Sequence, residues 1–123
     1  LMKTAIVLFN LGGPDGPDAV EPFLFNLFSD PAIIGVPQPF RWMLAKLISR
    51  KRAPIARGIY DEIGGKSPLL ELTDAQARAL EDKCADLGEV KAFVCMRYWH
   101  PMSDAVAHAV KDFAPDRSLL LPL

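Results

Sequence analysis

Val90-Lys91-Ala92-Phe93-Val94-Cys95, followed at once by Met96-Arg97-Tyr98-Trp99-His100-Pro101 and then by Ser103-Asp104, decides the fold. The first six residues are an apolar run of strand length, which predicts a strand buried on both faces. Ser103-Asp104 is a helix-start signal, and Val106, Ala109, Val110 and Phe113 then recur at helical spacing. The turn between them crowds a cation, two aromatics and an imidazole onto the carboxyl edge of a strand. In open α/β sheets that edge is where ligands bind. A turn with only a structural job uses Gly, Asn or Asp more often. The plainer alternative is that Tyr98 and Trp99 pack while Arg97 is solvated, and a short motif alone does not choose between the two.

Outward from this stretch, residues 4–10 (TAIVLFN) form a second apolar run, again predicting a strand buried on both faces. Residues 119–123 read as a third core strand. Residues 11–17 are a loop rich in Gly and Pro. Val20, Phe23, Leu24, Leu27 and Phe28 then mark one face of an amphipathic helix, with Asp18 as N-cap and Pro22 in the first turn. Residues 31–40 hold Pro31, Gly35, Pro37 and Pro39 and are predicted to be irregular. A short helix over residues 41–49 follows, with Trp42, Met43, Leu44, Leu47 and Ile48 as its apolar set. Arg50-Lys51-Arg52 stands at its end, where cations are favoured. Pro54 is expected to open another helix running to about Ile63. Thr73 and Gln76 fit a capping box, Ala77, Leu80, Cys84 and Leu87 form the next stripe, and Gly88 suits a C′ position. Strands alternating with helices predict an α/β fold with a parallel sheet covered on both faces.

At 123 residues there is room for one small domain with a real core. The net charge of −1 implies no broad attraction to nucleic acid. The apolar runs are far short of the ~20 residues that cross a bilayer. The start, Leu1-Met2-Lys3-Thr4, lacks the pattern of a secretory leader. Cys84 and Cys95, without CxxC spacing, suit a reducing compartment and argue against a zinc site. Leu1 ahead of Met2, and an ending inside an apparent strand, suggest an N-terminal piece of something longer.

Four stretches carry candidate chemistry. Asn10-Leu11-Gly12-Gly13-Pro14-Asp15-Gly16 sits where a dinucleotide loop would. Its glycines are out of the G-x-G-x-x-G frame, and Pro14, Asp15 and Asp18 oppose a phosphate. Gly12 and Gly13 fit a tight turn or a close backbone approach to something flat. Lys51 and Arg52 are either solvated helix charges or partners for ligand carboxylates. Gly64-Gly65-Lys66-Ser67 offers an anion-binding nest but no Walker A frame, and Ser67 has no neighbouring His to activate it. His100 and His108 are too far apart in sequence to suggest a metal site, and His108 falls within a helix as a surface or packing residue.

Taken together these motifs resemble the ferrochelatases. The resemblance rests on Val7-Leu8-Phe9-Asn10-Leu11-Gly12-Gly13-Pro14-Asp15, Lys51-Arg52-Ala53-Pro54, Tyr60 with Ile63-Gly64-Gly65 and Ser67-Pro68-Leu69, Arg97-Tyr98 with His100-Pro101, and Leu121-Pro122-Leu123. It implies a Rossmann-like, three-layer parallel sheet, the first of two chelatase-type halves. Residues 1–123 would then be an incomplete N-terminal chelatase-like domain. It implies insertion of Fe²⁺ into protoporphyrin IX, the porphyrin and the iron being substrates. Porphyrin-pocket roles fall on Leu11, Lys51, Arg52, Tyr60, Ser67, Arg97 and Tyr98, and an apolar lip on Leu24, Leu27 and Phe28. Position 51 holds Lys where some relatives have Arg, which makes a point-charge contact rather than a fork. The family's catalytic His and its partner Glu have no match in this stretch, so it is expected to be inactive alone, and His100 is not given that job. No metal ligand or resident cofactor is implied within these residues, and whether an iron–sulfur cluster follows downstream is left open, as is the oligomeric state. The expected setting is the bacterial cytoplasm, with peripheral membrane contact through the lip in some members. Coproporphyrin as substrate, a cobalt or nickel chelatase, a tetrapyrrole-binding module without activity, and the nucleotide-binding half of another α/β enzyme stand as alternatives.

Overall fold

The computed structural model describes residues 2–123. In chain order its elements are the strand β1 (Lys3–Asn10), a 3-10 turn (Pro17–Ala19), the helices α1 (Val20–Phe28), α2 (Phe40–Asp61) and α3 (Leu69–Lys83), a second 3-10 turn (Ala85–Leu87), β2 (Glu89–Met96), α4 (Ser103–Phe113) and β3 (Arg117–Pro122). They divide into two compact units. One holds the residues up to Gly12 together with Leu69–Leu123, and the other holds Gly13–Pro68.

The first unit is α/β in three layers. Its strands are all parallel, in the order β2-β1-β3. Side chains alternate between the two sides of a strand, so residue parity sorts the core. Ile6, Leu8, Ala92, Val94 and Met96 face α3 and pack with Leu69, Leu70, Ala77, Leu80 and Cys84. Ala5, Val7, Phe93 and Cys95 face α4 and pack with Val106, Val110 and Phe113. Helices on both faces, and strands apolar on both parities, are what the sequence predicts. β3 differs. It forms as expected beside β1, but Leu119, Leu120 and Leu121 remain exposed rather than in the core. Among the described residues β3 lies at one margin of the sheet and pairs with β1.

The opposite margin is β2, and α3 reaches over it. The Ala92 N–H donates to Glu81 Oε2 at 2.7 Å, and Arg78 Nη2 donates to the Ala92 carbonyl at 2.9 Å. Arg78 Nη1 and Glu81 Oε1 close the fork at 2.9 Å. The outward backbone groups of Ala92 thus have the partners a further strand would supply, which blunts an open edge.

In the second unit α1 packs against α2. Phe25 and Trp42 meet edge to face at 6.4 Å, and the Lys46 ammonium lies 5.8 Å from each ring. Arg41 donates to the carbonyls of Ser29 and Val36, tying down the irregular connection over residues 30–39.

Several local expectations are corrected. Asp18 does not cap α1. It lies inside a 3-10 turn closed by Ala19 N–H to the Gly16 carbonyl, and α1 begins after Ala19 without a side-chain cap. Residues 40–61 form one helix of 22 residues rather than two, so Arg50, Lys51 and Arg52 are not at a helix end. Pro54 costs one backbone bond, and Ala45, Ser49 and Ala53, buried at four-residue intervals, anchor the helix on the N-terminal side of it. The expected apolar face is reversed: Trp42, Met43, Leu44 and Leu47 are exposed. Thr73 is not a cap, because Leu69 and Leu70 pack into the α3 cluster and draw the helix start back one turn. Its hydroxyl instead donates to the Leu69 carbonyl at 2.6 Å inside the helix. Leu87 and Gly88 fall beyond α3, in and after the second 3-10 turn, with Leu87 exposed. Gly88 is needed for another reason: its φ is +115° and a Cβ there would collide with the Met2 carbonyl. Ser103 is the first residue of α4 rather than its cap, and Met102 precedes it in extended conformation.

Replacing Glu81 by Ala removes the partner of a backbone amide at the sheet margin. The expected cost is about 1–2 kcal/mol in denaturant unfolding, with faster hydrogen exchange at the Ala92 amide. Unchanged exchange there would show that the margin is sealed by something else.

Candidate functional site

In the first unit the candidate residues collect past the carboxyl ends of the strands. The β1–β2 pairing runs Phe9 to Cys95 and Asn10 to Met96, and then continues into the loops. Arg97 N–H donates to the Asn10 carbonyl and Tyr98 N–H to the Leu11 carbonyl, each at 3.0 Å. Met96 N–H donates to the Pro101 carbonyl at 2.7 Å, which closes the turn on itself. The Asn10 side-chain oxygen accepts from the Leu11 amide at 2.8 Å.

Gly12 lets this happen. Its φ is +92°, and a Cβ there would stand 3.2 Å from Met96 Cβ and 3.3 Å from the Trp99 nitrogen. Both the left-handed conformation and the close approach exclude a side chain. The close approach read from the sequence is therefore, at Gly12, an approach to the Met96–Trp99 turn.

The result sorts the motif residues by exposure. Leu11 is 58% exposed, whereas Tyr98 is only 5% exposed and belongs to the packed interior. Arg97 is exposed, with its guanidinium 5.3 Å from the Tyr98 ring centre. Trp99 is half-buried, its ring edge-on to exposed His100 at 4.9 Å. Beneath Leu11 and Arg97 lies a cavity of about 500 Å³, whose lining includes Phe9, Leu11, Cys95, Arg97, Met102 and Ser103. The order β2-β1-β3 puts the connections after β1 and β2 on opposite faces, so this cavity opens where the chain's winding reverses, the usual ligand position in such sheets. Cys95, Met102 and Ser103 were not legible as lining residues, because the alternating pattern marks Cys95 for the core and nothing marks Met102.

In the second unit the continuous α2 aligns two candidates. Arg52 and Tyr60 are eight positions apart, so they share one helix face about 12 Å apart along the axis. A helix broken before Pro54 would have separated them. Lys51 and Arg52 are both exposed, and Tyr60 is half-buried in the last turn. Gly64 and Gly65 have φ of +96° and +82°. They do not form an anion nest, because their amides are spent inside the turn: Gly64 donates to Asp61, Gly65 to Tyr60 at 2.8 Å, and Ser67 to Pro14 at 2.8 Å. The Ser67 side chain lies against the bare backbone of Gly13, where a Cβ would come within 2.6 Å of it. Leu24, Leu27 and Phe28 are half-buried on α1. The more exposed apolar surface of this unit is on α2, where Phe40, Trp42, Met43 and Leu47 line a groove of about 660 Å³ with Lys46 and Arg50.

His108 is exposed on α4, and among the described residues no three His, Cys, Asp or Glu side chains group as metal ligands. Cys84 packs on the α3 face of the sheet and Cys95 on the α4 face, so the sheet stands between the two thiols. Burial pushes the Cys95 thiol up from its ordinary value.

A three-layer unit with an all-parallel sheet between helices places the chain in the open-sheet α/β class. The profile of the ferrochelatase family matches residues 3–123, and the chain belongs to that family. It is 59% identical over 124 residues to the ferrochelatase of Wolbachia sp. subsp. Drosophila simulans (strain wRi), covering 99% of this chain and 39% of that protein. It is 58% identical over 125 residues to the ferrochelatase of Phenylobacterium zucineum (strain HLK1) and 59% identical over 124 residues to that of Caulobacter vibrioides (strain NA1000 / CB15N), covering 36% of each. The chain thus spans well under half the length of the curated relatives it matches.

The raised Cys95 value keeps its thiol protonated at neutral pH, so alkylation at pH 8 is expected to reach half-buried Cys84 first. The pH dependence follows the same sign. A thiol that ionises more readily unfolded than folded removes stability as pH climbs past its ordinary value of 9.0. Equal labelling rates in the native protein would contradict the burial argument.

Proposed function

We propose that the full-length protein inserts Fe²⁺ into protoporphyrin IX, and that residues 1–123 supply the first of its two halves. The observation that carries this reading is the joined Leu11–Arg97 rim over an apolar cavity, in a chain of the ferrochelatase family. A porphyrin is a flat apolar ring with carboxylates at one edge. Its site needs apolar walls, close backbone approach and a few cations. In the first unit Leu11 offers an exposed apolar wall, Arg97 a fork for a carboxylate, and Tyr98 a buried ring that supports Arg97. In the second unit Lys51 and Arg52 offer further cations, Tyr60 an amphipathic ring and Ser67 a hydroxyl.

These groups bind and orient. Holding the ring out of plane, so that its pyrrole nitrogens face the incoming iron, draws on binding energy from the rest of the macrocycle. Neither His100 nor His108 is assigned the pyrrole protons; that base belongs to the remainder of the protein, and this stretch by itself is inactive.

We extend the proposal to peripheral membrane contact. No helix of the described residues is long and apolar enough to cross a bilayer. The α2 groove, with Trp42, Met43 and Leu47 exposed beside Lys46 and Arg50, has the composition of a surface that lies on anionic lipid, and half-buried Leu24, Leu27 and Phe28 on α1 add to the apolar surface of the same unit. Cosedimentation of the full-length protein with anionic vesicles is expected, and Trp42→Ser with Leu47→Ser should weaken it. Equal pelleting of the variant would remove α2 from the account.

The main test is porphyrin titration and iron insertion by the full-length protein. Arg52→Ala and Arg97→Ala should each weaken porphyrin binding by about tenfold or more, as expected for a charge-assisted contact. Protoporphyrin and coproporphyrin run side by side decide between those substrates, and a Co²⁺ or Ni²⁺ preference would redefine the metal. Tight ATP or NAD binding with no response to porphyrin would end the proposal.

A further inference from the structure

The second unit contains a cation outside the set just described. Arg57 stands on α2 one turn before Tyr60, and its Nε donates to the Pro17 carbonyl at 3.1 Å. The same carbonyl accepts the Val20 amide at the entry to α1. Pro17 also lies against the Gly65 turn, where a Cβ would be 3.7 Å from its ring. Three positions upstream, the Pro14 carbonyl accepts the Ser67 amide at 2.8 Å, and the Ser67 side chain fills the space beside Gly13. The loop from Gly13 to Ala19 is therefore pinned at Pro17 to the end of α2 and at Pro14 to Ser67, in the turn beyond it. The Pro14 bond comes from Ser67 itself. The Pro17 bond comes from a side chain that can be changed without touching Ser67. Because the guanidinium is planar and always charged, it holds its acceptor in a fixed direction.

From this we infer that Arg57 is a positioning residue. By fixing Pro17 it sets the loop against which the Ser67 hydroxyl is placed, and so sets how Ser67 meets the porphyrin. The inference rests on the proposed porphyrin site, since Ser67 must meet the ligand for its placement to matter.

The test uses the full-length protein with Arg57→Ala, Arg57→Lys, Ser67→Ala and the double variant. Amide exchange in the segment holding Ser67 is read together with porphyrin KM and kcat. Arg57→Ala should speed that exchange and raise porphyrin KM by about three- to tenfold, with a smaller change in kcat. Arg57→Lys, whose ammonium can still donate to Pro17, should recover most of it. Arg57→Ala should add nothing on top of Ser67→Ala. Additive losses in the double variant, or an unchanged KM, would overturn the inference. If Ser67→Ala leaves KM untouched, the porphyrin role of Ser67 fails, and exchange alone then decides the coupling: faster exchange in Arg57→Ala retains it, and unchanged exchange ends it. Should Arg57→Ala not fold, Arg57→Met, which keeps the aliphatic stem and has no donor, gives the same readings.

Discussion

The constraint on which the first unit depends is the continuation of β-pairing beyond the strands themselves. Asn10 and Leu11 offer carbonyls to the amides of Arg97 and Tyr98, so the loop after β1 and the turn after β2 form one rim. Each such bond contributes only about 1 kcal/mol net. Their larger effect is geometric, because they set which way Leu11, Arg97 and Tyr98 point. Leu11 and Arg97 end outside, over the cavity, and Tyr98 ends inside. Gly12 is the condition for all of it, since a side chain there would crowd Met96 and Trp99 and be strained by the left-handed backbone.

The sheet beneath the rim is organised by parity. One set of alternating residues serves α3 and the other serves α4, and each strand is apolar in both sets. This explains why the two cysteines, eleven positions apart in sequence, belong to different clusters. It also explains how α3 comes to guard the margin. A helix packed on Ala92 and Val94 has Arg78 and Glu81 within reach of the outward backbone of β2, and the ion pair between them holds both in place.

What the sequence made legible follows physical lines. The strands were plain because runs such as Thr4 to Asn10 and Val90 to Cys95 are apolar on both faces, and α4 was plain because Val106, Val110 and Phe113 keep helical spacing. The continuity of α2 was hidden. Its buried stripe is Ala45, Ser49 and Ala53, which carries little hydropathy, while the bulky residues that drew the eye lie outside. Pro54 then reads as a helix start, although the helix, anchored upstream by that stripe, runs through it to Asp61. Thr73 looked like a cap because its neighbours fit a capping box, but Leu69 and Leu70 extend the helix upstream. The Gly64-Gly65 nest failed for a reason that sequence does not display: the amides were already committed to Asp61 and Tyr60, and that of Ser67 to Pro14. Arg57 could not have been singled out, since its acceptor is a backbone carbonyl forty positions away.

The proposed function seats a flat ligand over the strand ends, beside the joined rim. The most direct measurement is hydrogen exchange on the full-length protein with and without protoporphyrin. The account predicts protection concentrated in the segments carrying Asn10 to Gly12 and Arg97 to Trp99, rising together because they share one rim. Protection elsewhere, with both of these segments unchanged at saturating porphyrin, would contradict it.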